Sequence, residues 1–489
     1  MTTQLWQLDA TARLELIRSR QVSAREMTRA ALERIERLDG GLHAFCTLSA
    51  DQALAEATRV DEQLAKGEDP GPLAGIPVAI KDLVATRGVR TTGGSPAYRD
   101  FVPEEDDVVV ERLKAAGAIM IGKTNVPEFG YSGVGHNPIF ETTRNPWQPE
   151  LTPGGSSAGS GVSVATGMTP LAVGSDGGGS VRIPAAHCGL FGMKASMGRV
   201  PLYPGCRDER YPGLSSWETL EHIGPMTRSV RDGALMLSVM AGPDARDRLS
   251  IPDDIDWHGA IGQGFRGKRI AYSEDFGYAA VDPQVRRLVH RAASVFERAL
   301  GCHVESVTPD WEDPFETFWG LVAGNTDLEG MRALAARHGH EMSPHLTAFL
   351  AHPWRAEDIT TANRMRQALY NRMRRLMQDY DLLITPTLTV PPFAIHTQGP
   401  ERVEGRMVSP TQWLSLAFPF NMTGQPAASV PAGWTGDGLP VGLQLVGRHL
   451  DDSCVLAAAA AYEQAAPWAA QWPALCATPP DSTPQGVSS

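Results

Sequence analysis

The chain predicts an α/β fold, a large mixed and twisted β-sheet covered by helices on both faces. Three observations predict it. Amphipathic helical stretches alternate with short apolar runs along the sequence, the order of elements expected when helices cover a sheet. The apolar runs are brief and continuous, as strands buried on both faces are. Between Pro153 and Pro184 a serine- and glycine-rich block, PGGSSAGSGVSVATGMTPLAVGSDGGGSVRIP, is punctuated by Val162, Val164, Leu171 and Val173. A flexible linker would lack such apolar residues.

The elements follow in order. Residues 1–66 read as helical, with Leu14, Ile17, Met27, Ala30, Leu32 and Ile35 at helical spacing and a capping box at Ser23 and Glu26. The turn-rich stretch Gly71–Pro77 leads into a strand, Val78–Ile80, that ends on Lys81 and Asp82. The helical segment Val110–Gly117 precedes a second strand, Ala118–Ile121. Thr169–Gly174 reads as a buried strand that delivers Ser180 to its C-terminal edge. Residues 202–222 are rich in Gly, Pro and charge and predict a mobile surface loop. Arg269–Tyr272 and Leu382–Thr385 are further strands, and 284–300 and 356–379 are amphipathic helices. Gln425–Gly447 predicts two strands joined by a Gly-Asp-Gly turn. With no repeat and no linker, residues 1–477 are expected to form one domain, with its helical segment at 1–66 and a disordered tail at 478–489.

Composition narrows the function. The 489 residues are 42% hydrophobic and 20% charged, ordinary for a soluble enzyme. A net charge of −12 argues against a nucleic-acid partner. No apolar run reaches the ~18 residues of a membrane span. The charged N-terminus lacks a signal-peptide core, so the cytoplasm is the expected location. The 6 cysteines, Cys46, Cys188, Cys206, Cys302, Cys454 and Cys476, show no CxxC spacing. They predict inert thiols in a reducing compartment, not a disulfide framework or a zinc site.

Three short motifs compete for the chemistry. Gly117–Thr124 (GAIMIGKT) fits the P-loop expression, but its middle residues are strand-like where a phosphate cradle needs a polar loop. Gly155–Gly159 (GSSAG) fits the nucleophile elbow at Ser157, but three prolines and no strand precede it. His338, His340, Glu341 and His345 do not have HExxH spacing and read as a solvated loop between helices. No metal is expected.

The serine block remains. Ser156 and Ser180 each follow a Gly-Gly step. Such turns bring backbone N–H groups close to a ligand, which is what acyl transfer needs beside its nucleophile. Asp176 and Arg182 form an opposite-charge pair around the second turn, either a buried brace or a surface ion pair. A serine needs a base. His187, in PAAHCG, reads as part of a packed turn. Lys81, at the end of an apolar strand, is the alternative, because burial disfavours an ammonium.

These residues resemble the amidase signature family. The resemblance rests on Gly75–Asp82 (GIPVAIKD), Gly154–Ser160 (GGSSAGS) and Gly174–Pro184 (GSDGGGSVRIP), with GKTN at 122–125, TRNPW at 143–147 and FNMTGQPA at 420–427. It covers nearly the whole chain and implies the amidase signature fold. It also implies a Ser–cisSer–Lys triad: Ser180 as nucleophile, Ser156 as a bridging serine on a cis peptide after Gly155, and Lys81 as base. The N–H groups of Gly177, Gly178, Gly179 and Ser180 would then form the oxyanion hole, with Asp176 and Arg182 as structural support. The family usually carries Thr, Ile or a similar residue where this chain has Gly177, which implies a roomier acyl site.

The resemblance leaves two readings. One is the ammonia-releasing component of glutamyl-tRNA amidotransferase, its A subunit. That component typically has Gln after the motif arginine, where this chain has Ile183. With Phe129, Tyr131 and Trp217 also expected to line the pocket, the favoured reading is a stand-alone amidase. Its expected substrates are apolar amides, anilides, lactams or carbamates, so carbamate hydrolase or urethanase activity belongs with it. The expected enzyme needs no cofactor, binds a small-molecule substrate and is a monomer or homodimer.

Overall fold

The computed structural model describes residues 4–204, 210–214 and 217–477. The sheet is built from β1 (Phe45–Leu48), β2 (Pro77–Lys81), β3 (Ile119–Thr124), β4 (Leu171–Ser175), β5 (Phe191–Lys194) and β6 (Ile223–Thr227) in the first half. The second half adds β7 (Arg269–Tyr272), β8 (His303–Ser306) and β9 (Leu382–Pro386). A separate ribbon pairs β10 (Arg402–Val403) with β11 (Arg406–Met407), and β12 (Ala427–Trp434) and β13 (Pro440–Gly447) return to the main sheet. The 11 strands run in the order β1-β3-β2-β4-β6-β5-β12-β13-β9-β7-β8. β2 pairs in parallel with β3 and β4, and β7 with β8 and β9, while the central pairs are antiparallel.

Both faces of the sheet are covered, and the strand sequences show why. Successive side chains of a strand point to opposite faces. In β2, Val78 and Ile80 join one buried core while Ala79 joins another. Met120 of β3 and Leu171 and Val173 of β4 share the first core; Ile119, Ile121 and Ala172 share the second. Helices Ala24–Leu38 and Ala158–Ala165 contribute to the second core, and Val230–Met240 and Asp452–Ala465 to the first.

The N-terminal segment is helical as expected, with one exception. The Ser23 hydroxyl accepts from Glu26 N, and the Glu26 carboxylate accepts from Ser23 N at 2.8 Å, closing the capping box. The exception is β1, which interrupts residues 1–66 and pairs antiparallel with β3. A second correction concerns 202–222. Among the described residues, Leu202, Trp217, Leu220 and His222 are buried, and Trp217 and Glu221 lie against Gly177 of the turn after β4. Residues 205–209, with Cys206, and the tail 478–489 lie outside the described residues. Among the described residues, no helix is long and apolar enough to cross a membrane.

Candidate active site

The site begins where parallel strands end. The register of β2 against β4 pairs Val78 with Leu171 and Ile80 with Val173, so the last residues, Lys81 and Ser175, emerge side by side. Lys81 is fully buried. Its Nζ donates to Ser175 Oγ at 2.8 Å, to the Ser175 carbonyl at 3.0 Å, and meets Ser156 Oγ at 2.6 Å. Two N–H bonds thus tie the amine to Ser175, and its remaining position faces Ser156 Oγ.

Ser156 is delivered by a loop of glycines. The Gly155–Ser156 peptide is cis. A Cβ on Gly155 would lie 2.9 Å from the Val134 carbonyl carbon, and one on Gly130 would lie 3.3 Å from Ser156 Oγ. The helix Ala158–Ala165 follows, wholly buried, and its small residues let it sink against the sheet. Ser157 faces inward: its Oγ donates to the Ser175 carbonyl and accepts from Ser175 N, both at 3.2 Å. Those bonds splice the loop to β4.

Ser180 lies on the turn after β4, and Asp176 shapes that turn. Arg182 grips Asp176 through Nε at 2.9 Å and Nη2 at 3.0 Å, and neither side chain is exposed. The remaining Arg182 donors reach the Ala417 carbonyl at 2.8 Å and, at 2.6 Å, Gln444 Oε1 and Asn421 Oδ1. All five guanidinium N–H groups are thereby used. Burial pushes the Asp176 carboxyl up, but Arg182, Lys194 and Asn421 outweigh it and hold the group well below the usual carboxylate range. The pair is a buried brace, and it ties the turn to β13 and to helix Pro419–Thr423.

Aromatic side chains wall the glycines. Trp217 packs on Gly177 and Phe318 on Gly178. Tyr131 meets Trp217 edge-on at 4.9 Å and shares a 2.6 Å hydrogen bond with Thr326 Oγ1. Phe318 stacks on Phe418 at 4.7 Å.

The competing motifs go elsewhere. Gly117–Thr124 is mostly β3, and Lys123 Nζ donates to the Val84 carbonyl and to Thr86 and Thr91 hydroxyls inside the core. His187 stacks on Trp413, and burial pushes its imidazole down to about 4. His338 closes helix Leu328–His338, and His345 lies in helix Pro344–Ala351. The described residues hold no group of three metal-ligating side chains there or elsewhere.

Comparison with known proteins places the chain in a family. The family model described as "Amidase" matches residues 26–456. The chain is 37% identical over 484 residues to an acylamidase of Rhodococcus erythropolis, covering 97% of this chain and 99% of that one. The chain belongs to the amidase signature family. It is a hydrolase of carbon–nitrogen bonds other than peptide bonds. The amidase is also 35% identical over 492 residues to the A subunit of the glutamyl-tRNA(Gln) amidotransferase of Geobacillus stearothermophilus, covering 94% of this chain and 97% of that one. Among solved structures it resembles a bacterial aryl acylamidase, with a TM-score of 0.88 and 32% identity over 94% of this chain and 96% of that one.

Two sequence-based expectations for this amidase need correction. Gly179 is expected among the oxyanion donors, but its N–H donates to Asp176 Oδ1 at 2.7 Å. That bond closes the turn, so the donor is already committed. Gly179 is required for another reason: its φ of +119° is one that L side chains rarely adopt. Phe129 is expected in the pocket. Its ring instead packs toward Gly93 and Gly213 and lies 5.9 Å from Tyr98. Ile183 is buried between Gly154 and Gly179 and holds the two serine loops together.

Ser175 and Asn421 sit inside motifs quoted above, but nothing local gave their roles; Phe318, Ala417 and Gln444 come from distant segments that carried no signal. So does the support of the turn from Lys194, whose Nζ donates to His222 Nε2 at 3.2 Å and to the Gln425 carbonyl. Burial and Lys194 push the His222 imidazole well down, so it is a neutral acceptor there.

Proposed function

We propose that the amidase cleaves apolar amides through an acyl-enzyme on Ser180, with Ser156 as relay and Lys81 as base. The observation that carries this reading is the 2.6 Å contact between Lys81 Nζ and Ser156 Oγ in a fully buried setting. Burial disfavours the ammonium and favours the neutral amine that a base must be. Neutral Nζ accepts the Ser156 proton while its two N–H groups keep their bonds to Ser175.

In the forward step Ser180 Oγ attacks the carbonyl carbon. Its proton passes to Ser156, and the Ser156 proton passes to Lys81. Negative charge develops on the carbonyl oxygen, where the N–H groups of Gly177, Gly178 and Ser180 are the donors; Gly179 is excluded by its bond to Asp176. The relay then runs backward. Lys81 returns its proton through Ser156 to the leaving nitrogen, and the C–N bond breaks. Water, deprotonated by the same relay, attacks the acyl-enzyme and releases the acid.

The wall of Trp217, Tyr131, Phe318 and Phe418 supports anilides and other apolar amides as substrates. Carbamates present the same carbonyl and tetrahedral intermediate and belong to the same class. The likeness to the amidotransferase component favours a second reading, release of ammonia from glutamine for a partner. The aromatic wall of Trp217, Tyr131 and Phe318 speaks against it. A panel of acyl anilides, a carbamate and glutamine decides between them. The first reading requires anilide hydrolysis by the purified chain alone; glutamine turnover without anilide turnover overturns it.

A further inference from the structure

Gly177 is a glycine for a steric reason. Its φ lies outside the left-handed region, unlike that of Gly179, so the backbone itself would accept a side chain. The obstacle is Trp217. A Cβ on Gly177 would fall 2.8 Å from the indole Cζ3, closer still to Cε3, and 3.3 Å from Glu221 Oε2. An indole ring is not a flexible chain end that can swing aside. Gly178 repeats the pattern with Phe318, whose Cζ would lie 2.8 Å from its Cβ. The expected roominess at position 177 is therefore taken up by a ring from another segment.

Trp217 is held in that place. Its backbone adopts φ +33°, uncommon for a bulky residue. Leu220 N and Glu221 N donate to its carbonyl at 2.8 and 2.9 Å. Tyr131 supports the ring from one side and Phe318, 6.3 Å away and perpendicular, from another. The indole N–H is buried with no hydrogen-bond partner among the described residues. Standing over the turn therefore costs the ring an unmet donor.

We infer that Trp217, seated in the space left by Gly177, sets the upper size of the acyl group. This rests on the reading of Ser180 as nucleophile. The leaving nitrogen must face Ser156 to collect its proton. The acyl substituent then faces the other side of the carbonyl, along the glycine turn, where the indole stands. Gly177 and Trp217 act as one unit: a side chain at 177 is admitted only when the indole is removed.

The test compares acetyl, butyryl and benzoyl anilides in four variants: Trp217→Ala, Trp217→Phe, Gly177→Thr, and Gly177→Thr combined with Trp217→Ala. Trp217→Ala is expected to raise the benzoyl-to-acetyl ratio of kcat/KM by about tenfold or more, the scale of a few carbon atoms in an apolar pocket. Trp217→Phe, which keeps aromatic packing, is expected to move the ratio part of the way, and it reports even if the alanine variant fails to fold. Gly177→Thr alone should lose acetyl anilide turnover, and the double variant should regain it. An unchanged ratio in the folded tryptophan variants, or an active Gly177→Thr enzyme, overturns the inference. Ser180→Ala, run in parallel, separates the two claims. If it retains turnover, the nucleophile reading fails; if it is inactive while the ratio stays fixed, only the role of Trp217 fails.

Discussion

Lys81 Nζ lies 2.6 Å from Ser156 Oγ, although 75 residues separate them in the chain. The parallel pairing of β2 and β4 ends both strands at the same edge and so holds Lys81 beside Ser175, where the loop carrying Ser156 meets it. Lys81 completes its bonding on Ser175, the last residue of β4. The amine is therefore fixed by the sheet itself, and the serine loop is brought to it.

Removing the amine should stop the chemistry without unfolding the sheet. Lys81→Met, which keeps the length of the stem, is expected to lower kcat on an acyl anilide by ~10³-fold or more. In the intact enzyme kcat/KM should rise with pH, because only the neutral amine accepts a proton. A pH profile that is flat from about pH 5 to 9 would count against Lys81 as the base.

The neighbouring serines should separate by phenotype. Ser156→Ala breaks the relay and is expected to cost ~10²–10⁴-fold in kcat, the range of general acid–base contributions. Ser157→Ala instead strands the Ser175 N–H and removes one of the two donors to the Ser175 carbonyl, which Lys81 still serves. It should cost about 1–3 kcal/mol of stability and leave most of the turnover. Thermal melts and steady-state assays of the two variants check this; an inactive Ser157→Ala enzyme with unchanged stability would reverse the assignment.

The Asp176–Arg182 brace has a pH signature. The Asp176 carboxyl is held below its ordinary value in the fold. Its stabilisation is therefore present above the ordinary carboxylate pKa, near 4, and is lost as pH falls below that. Arg182→Lys keeps a charge but cannot make five directed bonds. Breaking a buried pair costs about 3–5 kcal/mol, and the acid-unfolding midpoint should move to higher pH. An unchanged acid limb would show that the brace adds nothing to the turn.

Asp107 carries the opposite sign. It caps the helix Val108–Ala115 by accepting from Val109 N at 3.1 Å, and burial pushes its carboxyl up to about 8. Stability from a raised acid is complete below its ordinary pKa and is lost as pH rises through the raised value. Asp107→Asn can keep the cap and removes the titration. The melting temperature of the variant should fall less between about pH 5 and 8 than that of the parent. Parallel curves would refute the shift.

What could be read from the residues follows from where each element is buried. β2, β4 and β9 are apolar runs covered on both faces, so their sequences announced them. β1 did not, because Phe45–Leu48 is only partly buried at the sheet edge and mixes Cys and Thr with Phe and Leu. β6 was hidden because Gly224 and Pro225 interrupt it and only its partners β4 and β5 make it a strand. The two serine loops were legible from their Gly-Gly steps and Lys81 from its place at the end of an apolar strand; their grouping was implied by the family resemblance. The fate of the Gly179 N–H was not, since it depends on how Asp176 folds back, and neither was Phe318, whose contact with Gly178 exists only in three dimensions.

The central claim is that Ser180 carries the acyl group. Tandem mass spectrometry of enzyme quenched during turnover of a slowly deacylating carbamate tests it directly, since fragmentation distinguishes Ser180 from Ser156 and Ser157 on one peptide. The account predicts the acyl mass on Ser180 and its disappearance in Ser180→Ala. An adduct on Ser156 or Ser157 that persists in Ser180→Ala would contradict it.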